Sequence, residues 1–234
     1  MRAVLFDVDG TLISSGGAGA ASWRMAFDDL YGIPVDIGKY TDAGMTEPEV
    51  ATVTFKNAIG HDPSREELAR LMAGRIRHLP QTVADSKAFR VLPGVRATLD
   101  RLHAAGYLLG VTTGGMEAAA HIKLAREGLE HYFSFGGFGS DFGGFGSDSG
   151  DRIELTRRAM ERVSALLRER VDPRQVLVVG DTPHDVEAAH GARAVAAGVA
   201  SGHFDVEELR AAGADYVLRS LEEELPLSAA PAST

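Results

Sequence analysis

Residues 1–12 read MRAVLFDVDGTL. Small and apolar side chains from Ala3 to Phe6 run into two carboxylates one residue apart, Asp7 and Asp9, with Gly10 and Thr11 directly behind them. A short apolar run that stops at glycine reads as a buried strand handing its last residues to a turn. Residues i and i+2 of a strand share a face, so Asp7 and Asp9 point the same way if the strand continues that far. Taken alone, such a pair reads as a solvated strand end. The pieces that match it farther along the chain change that reading.

At 234 residues the chain is one large or two modest domains, and 44% apolar residues supply an ordinary buried core. The formal charge of -9 argues against a nucleic-acid or anionic-membrane partner, since neither surface favours net negative charge. It leaves room for a small anionic substrate, because a metal or one basic group inverts the field locally. With no cysteine there is no disulfide, no thiolate metal site and no cysteine nucleophile. No run approaches 18 apolar residues and no leader-like segment opens the chain, so the expectation is a cytoplasmic protein without a membrane span.

After the first strand the Ser/Gly stretch SSGGAGAAS reads as a loop or hinge, followed by a helix from Ala20 to Tyr31 with Trp23, Phe27, Leu30 and Tyr31 at helical spacing. Thr46 with Glu49, and Ser64 with Glu67, are capping-box signals that predict helices from Pro48 towards Ala58 and from Arg65 to Leu79. Residues 15–88 therefore form a block of helices. Beyond it the rhythm changes to strands alternating with helices. The expected strands are Leu108 to Thr112, Tyr132 to Phe135, VLVVG before Asp181, and two near the C-terminus in ARAVAAGV and ADYVLRS. Helices are expected over Met116 to Gly128 and Arg152 to Arg170. This alternation predicts an α/β fold, a doubly wound, mostly parallel sheet covered on both faces. FGGFGSD occurs twice in tandem, from Phe135 to Asp141 and from Phe142 to Asp148, and reads as a duplicated loop segment.

In a parallel sheet, ligands gather outside the carboxyl ends of the strands. Three of the expected strand ends carry unusual polar groups: Asp7 with Asp9, Thr112 with Thr113, and Asp181 with Asp185 in GDTPHD. Carboxylates converging at one edge repel unless something positive lies between them, and hard oxygen donors of this kind suit Mg²⁺ beside a phosphate.

With DVDGT, VTTGG and GDTPHD in that order, the sequence resembles the haloacid dehalogenase-like hydrolase superfamily, in its phosphoglycolate-phosphatase-like branch, over nearly its whole length. The resemblance implies a Rossmann-like catalytic core (residues 1–14 and 89–225), an inserted α-helical cap (15–88) and a flexible tail (226–234). It implies Asp7 as nucleophile, Asp9 as acid and base, and Thr113 with the Gly114 N–H as phosphate ligands. Asp7, Asp181, Asp185 and the main-chain carbonyl of Asp9 are the implied Mg²⁺ ligands. The substrate is then a small phosphorylated metabolite and the protein a monomer or homodimer.

Two features depart from the family pattern. The basic residue beside nucleophile and phosphate is often a lysine before proline, and no Lys-Pro occurs here. Lys123 and Arg152 remain as candidates for catalysis and phosphate binding, with Lys123 the preferred one. Gly115 stands where that branch usually has asparagine. Cap residues implied to touch substrate are Gly17, Met45 and Thr46, with Arg75 a further candidate; His184 stands alone and is not expected to ligate metal. The same residues would also serve a phosphomutase, a phosphonate hydrolase or a catalytically weak binding protein.

Overall fold

The computed structural model describes residues 1–133, 136–138 and 150–227. The chain enters through β1 (Ala3–Phe6) and turns into the short β2 (Ile13–Ser14). It then leaves for three helices, α1 (Ala18–Tyr31), α2 (Glu47–Ile59) and α3 (Arg65–Asp85). On its return β3 (Arg90–Val91) pairs antiparallel with β2, so the helical excursion starts and ends on one two-stranded stem. There follow α4 (Val95–Ala104), β4 (Leu108–Thr113), α5 (Glu117–Arg126), β5 (Gly136–Phe138) and α6 (Arg152–Leu167). The chain ends through β6 (Val176–Gly180), α7 (Pro183–Gly191), β7 (Val195–Val199), α8 (Val206–Ala211) and β8 (Tyr216–Leu218).

Six of these strands form one sheet in the order β5-β4-β1-β6-β7-β8, every neighbouring pair parallel. The chain steps outward from β1 to β4 and β5, then crosses to β6 and steps outward the other way. The reversal lies between β1 and β6, where doubly wound sheets open a crevice at their carboxyl ends. Strand alternation divides the core between the two faces. Val4, Phe6, Leu177 and Val179 pack under α4 and α5, and Ala3, Leu5, Val176 and Val178 pack under α6 and α7. Strands buried on both sides must be apolar throughout, as β1 and β6 are.

The helical insert has its own apolar cluster, including Trp23, Phe27, Phe55, Leu71 and Met72. Both expected capping boxes are present: the Thr46 N–H and hydroxyl donate to Glu49 Oε2 at 2.8 and 2.9 Å, and the Ser64 N–H donates to Glu67 Oε2 at 2.8 Å. The third helix runs beyond Leu79, through Pro80, to Asp85. A proline inside a helix costs about 3 kcal/mol, and here Leu79 and Val83 offset it by burying themselves in the main core.

Two other expectations are corrected. The strand anticipated at Tyr132 to Phe135 begins at Gly136. Glu130–Tyr132 is instead a turn of 3-10 helix, which seats Phe133 edge-on against Phe6 at 6.2 Å between ring centres. The sixth helix stops at Leu167, because Arg168 takes a left-handed conformation at φ 54°. Apart from β5, the duplicated FGGFGSD segment lies outside the described residues, as do residues 228–234 of the expected tail. Leu227 is tied down, its carbonyl accepting from the Met1 ammonium at 3.0 Å. Among the described residues no helix is long and apolar enough to cross a membrane.

Candidate active site

The first strand ends at Phe6, and the Asp7 N–H still donates to Val179 O of β6 at 2.9 Å. This last bond between the strands places Asp7 at the crevice. The next residues fold back sharply: Leu12 and Ile13 N–H both reach Val8 O at 3.0 Å, with Gly10 at φ 90°. A side chain at Gly10 would be strained at that φ and would collide with Asp181, whose Oδ2 lies 2.2 Å from the Cβ position. Gly202 approaches from the other side, its Cβ position 1.7 Å from the same oxygen. Asp181 is thus clamped at the end of β6, and Thr11 Oγ1 donates to its Oδ1 at 3.0 Å.

Asp185 sits in the first turn of α7. Its Oδ2 accepts from the Thr182 N–H at 3.0 Å and from the Thr182 hydroxyl at 2.7 Å, a capping arrangement that fixes the carboxylate. Oxygens of Asp7, Asp181 and Asp185 lie within 4.8 Å of one another, all three residues buried. Burial, then the neighbouring Asp185, raises Asp7 to about 7, although Arg152 and the Thr113 hydroxyl pull the other way. Burial, then Asp7 and Asp185, raises Asp181 to about 8. Three buried carboxylates at this spacing hold protons or call for a cation.

Part of that cation is Arg152, at the start of α6. Its guanidinium pairs with Asp185 Oδ1, lies 3.4 Å from Asp7 Oδ1, and donates to Gly44 O in the insert at 3.0 Å. Burial alone would lower its proton affinity, but the carboxylates of Asp185, Asp7 and Asp181 outweigh that and raise it. Lys123 on α5 is also buried, and its ammonium pairs with Asp9 Oδ2. The two candidate basic residues thus stand on different carboxylates. Arg152 meets Asp7, and Lys123 meets Asp9. The physical reason is reach: α6 starts beside the Asp7–Asp185 crevice, whereas α5 runs past the turn that carries Asp9.

A cavity of about 590 Å³ opens over this cluster, walled by Asp7, Asp9, Thr113, Gly114, Arg152 and Asp181 from the sheet side. From the insert side come Gly17, Met45 and Glu47. Thr113 is buried at the end of β4, and its hydroxyl accepts from the Gly115 N–H at 3.3 Å. Thr46 is drawn into the cap of α2 and does not line the cavity, while Arg75 is buried against Glu47. His184 is half exposed and stands outside the carboxylate cluster. Sequence reading passed over Thr11, Ser201, Gly202 and Glu47. Thr11 carries a usable signal, its place in Asp-Gly-Thr. Ser201 (whose hydroxyl donates to Gly10 O at 2.7 Å) and Gly202 carry none, since only the fold brings residue 201 to residue 10.

The hard oxygen donors of Asp7 and Asp181, facing each other in a buried cluster that a cation would relax, fit a divalent metal such as Mg²⁺. Both oxygens of Asp185 are already engaged by Thr182 and Arg152, so it is the less available of the three.

Comparison with known proteins bears on this arrangement. The phosphoglycolate phosphatase of Synechococcus elongatus is 29% identical over 220 residues, covering 94% of this chain and 93% of that protein. The tyrosine-protein kinase PtkA of Mycobacterium tuberculosis is 30% identical over 205 residues, 86% of this chain but 64% of that one. The solved β-phosphoglucomutase of Clostridium difficile superposes with a TM-score of 0.70 at 18% identity, covering 94% of this chain and 92% of that chain, a likeness of fold. The haloacid dehalogenase-like hydrolase family model matches residues 1–193, and the chain belongs to that family of enzymes.

Proposed function

We propose that this protein is a Mg²⁺-dependent phosphatase that hydrolyses a small phosphorylated metabolite through a phosphoryl group held on Asp7. The observation that carries the reading is the pairing of two cations, Lys123 buried and Arg152 partly so, with two neighbouring carboxylates: Arg152 with Asp7, Lys123 with Asp9. Each carboxylate is held separately, as two different roles require.

Asp7 Oδ is the attacking atom, at the end of a strand that cannot shift without breaking its bond to Val179. Arg152 turns Asp7 towards the cavity and offsets charge as the phosphoryl group approaches. The Thr113 hydroxyl and the Gly114 N–H are the groups that take nonbridging phosphate oxygens. Asp9, half exposed to the cavity and fixed by Lys123, hands a proton to the leaving oxygen and takes one from the water that attacks next. Asp7 and Asp181, with the Asp9 main-chain carbonyl and Asp185 nearby, would hold Mg²⁺, which when bound supplies positive charge against phosphate and carboxylate together. The insert of residues 15–88 serves as a cap: the Glu47 N–H donates to Gly114 O at 2.8 Å, closing α2 over the phosphate loop and excluding bulk water.

Phosphatase relatives and the two cation–carboxylate pairs support this reading alike. The test is release of inorganic phosphate from p-nitrophenyl phosphate and a panel of metabolite phosphates, with Mg²⁺ and with EDTA. Mg²⁺-dependent release is the expected result. Its absence across the panel would sink the proposal.

A further inference from the structure

Glu47 and Arg75 are charged residues of the insert, and both are buried, at 7% and 2% exposure. Arg75 Nη2 meets Glu47 Oε1 at 2.7 Å, and the guanidinium lies 5.5 Å from the ring centre of Trp23. The pair is incomplete. Glu47 Oε2, Arg75 Nε and Arg75 Nη1 find no hydrogen-bond partner among the described residues. A buried ion pair adds little stability for its own sake, and one left part-satisfied adds less. Buried polar atoms without partners mark a site that something else completes.

The position of Glu47 shows where that something lies. Glu47 lines the same cavity as Asp9 and Thr113. The loop after β4 carries no side chain at Gly115, and a Cβ there would sit 3.3 Å from Glu47 Oε1 and 3.6 Å from Thr113 Oγ1. The space that a side chain at residue 115 would fill is thus taken by a carboxylate from the insert. Arg75 stands behind Glu47 and does not line the cavity, so what a bound molecule meets is an acceptor with negative charge.

We infer that Glu47, held in place by Arg75, is the specificity-determining residue for the leaving group. It selects phosphate monoesters with a hydrogen-bond donor, hydroxyl or ammonium, a few bonds from the ester oxygen, and disfavours those with a carboxylate there. The inference rests on the phosphatase reading and narrows its substrate class. The opposing feature is Arg90, which lines the cavity from the β2–β3 stem and would favour a carboxylate. Its side chain is exposed, whereas Glu47 is fixed beside the phosphate loop, so Glu47 decides the preference close to the ester.

Three two-carbon esters of nearly equal size provide the test: 2-hydroxyethyl phosphate, 2-aminoethyl phosphate and 2-phosphoglycolate, with p-nitrophenyl phosphate as the measure of phosphatase activity itself. The wild-type protein is expected to favour at least one donor ester over phosphoglycolate by about tenfold or more in kcat/KM. In Glu47→Gln that ratio is expected to fall to about threefold or less, with the ammonium ester losing more than the hydroxyl ester. Because a lone Arg75 would be left charged and buried, the double variant Glu47→Gln/Arg75→Gln is measured alongside it, and thermal melts report whether each folds. A wild-type preference for phosphoglycolate overturns the inference whatever the variants do. So does an unchanged ratio in a folded variant. Failure to turn over p-nitrophenyl phosphate defeats the phosphatase reading instead, and this inference with it.

Discussion

The two walls of the cavity are built differently. On the sheet side Asp7, Asp181 and Asp185 are set by strand ends, by glycines that admit no side chain, and by a helix cap. On the insert side, hydrogen bonds to cavity residues include the Glu47 N–H on Gly114 O and Arg152 on Gly44 O, and the insert returns to the sheet through a two-stranded stem. Bonds of the first kind cannot be lost without unfolding the crevice. Those of the second kind are two hydrogen bonds, beside the packing of Leu79 and Val83 into the main core. On the proposed function, chemistry belongs to the rigid wall and recognition to the wall that the insert supplies.

The largest expected effect comes from Asp7. Asp7→Asn removes the attacking oxygen and is expected to lower phosphate release by about 1,000-fold or more. Because Asp7 is a buried carboxylate among carboxylates, the same change should raise the melting temperature of the metal-free protein at pH 8. A folded variant with full turnover would remove Asp7 from the chemistry and reverse the contrast between the walls. Next comes Arg152→Met, which leaves Asp185 and Asp7 buried without their cation. Breaking a buried pair from one side costs about 3–5 kcal/mol, read as a fall in denaturation midpoint, and Arg152→Lys should recover part of it.

The rigid wall also has a pH signature. Asp7 and Asp181 stand at about 7 and about 8 in the fold, against 3.8 for an ordinary exposed aspartate. The folded state binds these protons more tightly than the unfolded chain, so their contribution to stability is complete below about 3.8 and is lost as pH rises through 7 to 8. Without metal, the melting temperature should therefore carry a downward component between pH 5 and 8 from these two groups. Added Mg²⁺ competes with those protons and should stabilise more at pH 8 than at pH 6, which melts at the two pH values measure directly. Equal Mg²⁺ stabilisation at both would mean that the cluster is not where the metal binds.

What could be read beforehand follows the same division. Asp7, Thr113 and Asp181 were legible because each ends an apolar strand, and strand order in a doubly wound sheet brings such ends together. The capping boxes at Thr46 and Ser64 were legible because their hydrogen bonds close within four residues. The partners of Lys123 and Arg152 were not, since the choice depends on where two helices start relative to one crevice, more than a hundred residues from Asp7 and Asp9. Glu47 looked like an ordinary first-turn acid. Its role depends on Arg75, on another helix, and on the side chain missing at Gly115.

The insert wall can be loosened without removing any charged group, although a Cβ at Gly114 would also lie 3.4 Å from Arg152 Nη1. A Cβ at Gly114 would come within 3.0 Å of Met45 O and of Thr46 Cα, tighter than atoms of those kinds tolerate. Those are backbone atoms of the insert, so Gly114→Ala should displace the insert rather than the loop. The bond from the Glu47 N–H to Gly114 O would then lengthen. The expected result is a rise in KM of about tenfold with a smaller change in kcat, because the tightest contacts of the added methyl fall on insert backbone and not on the sheet. Ser64→Ala is the matching control at the far end of the insert. Its cap loses about 1 kcal/mol, with KM and kcat unchanged, since among the described residues the Ser64 hydroxyl bonds to its own helix, at Glu67. If the cap variant moved KM as far as the Gly114 variant does, stability of the insert rather than its seating on the phosphate loop would govern binding. The two walls would then differ in strength alone and not in role.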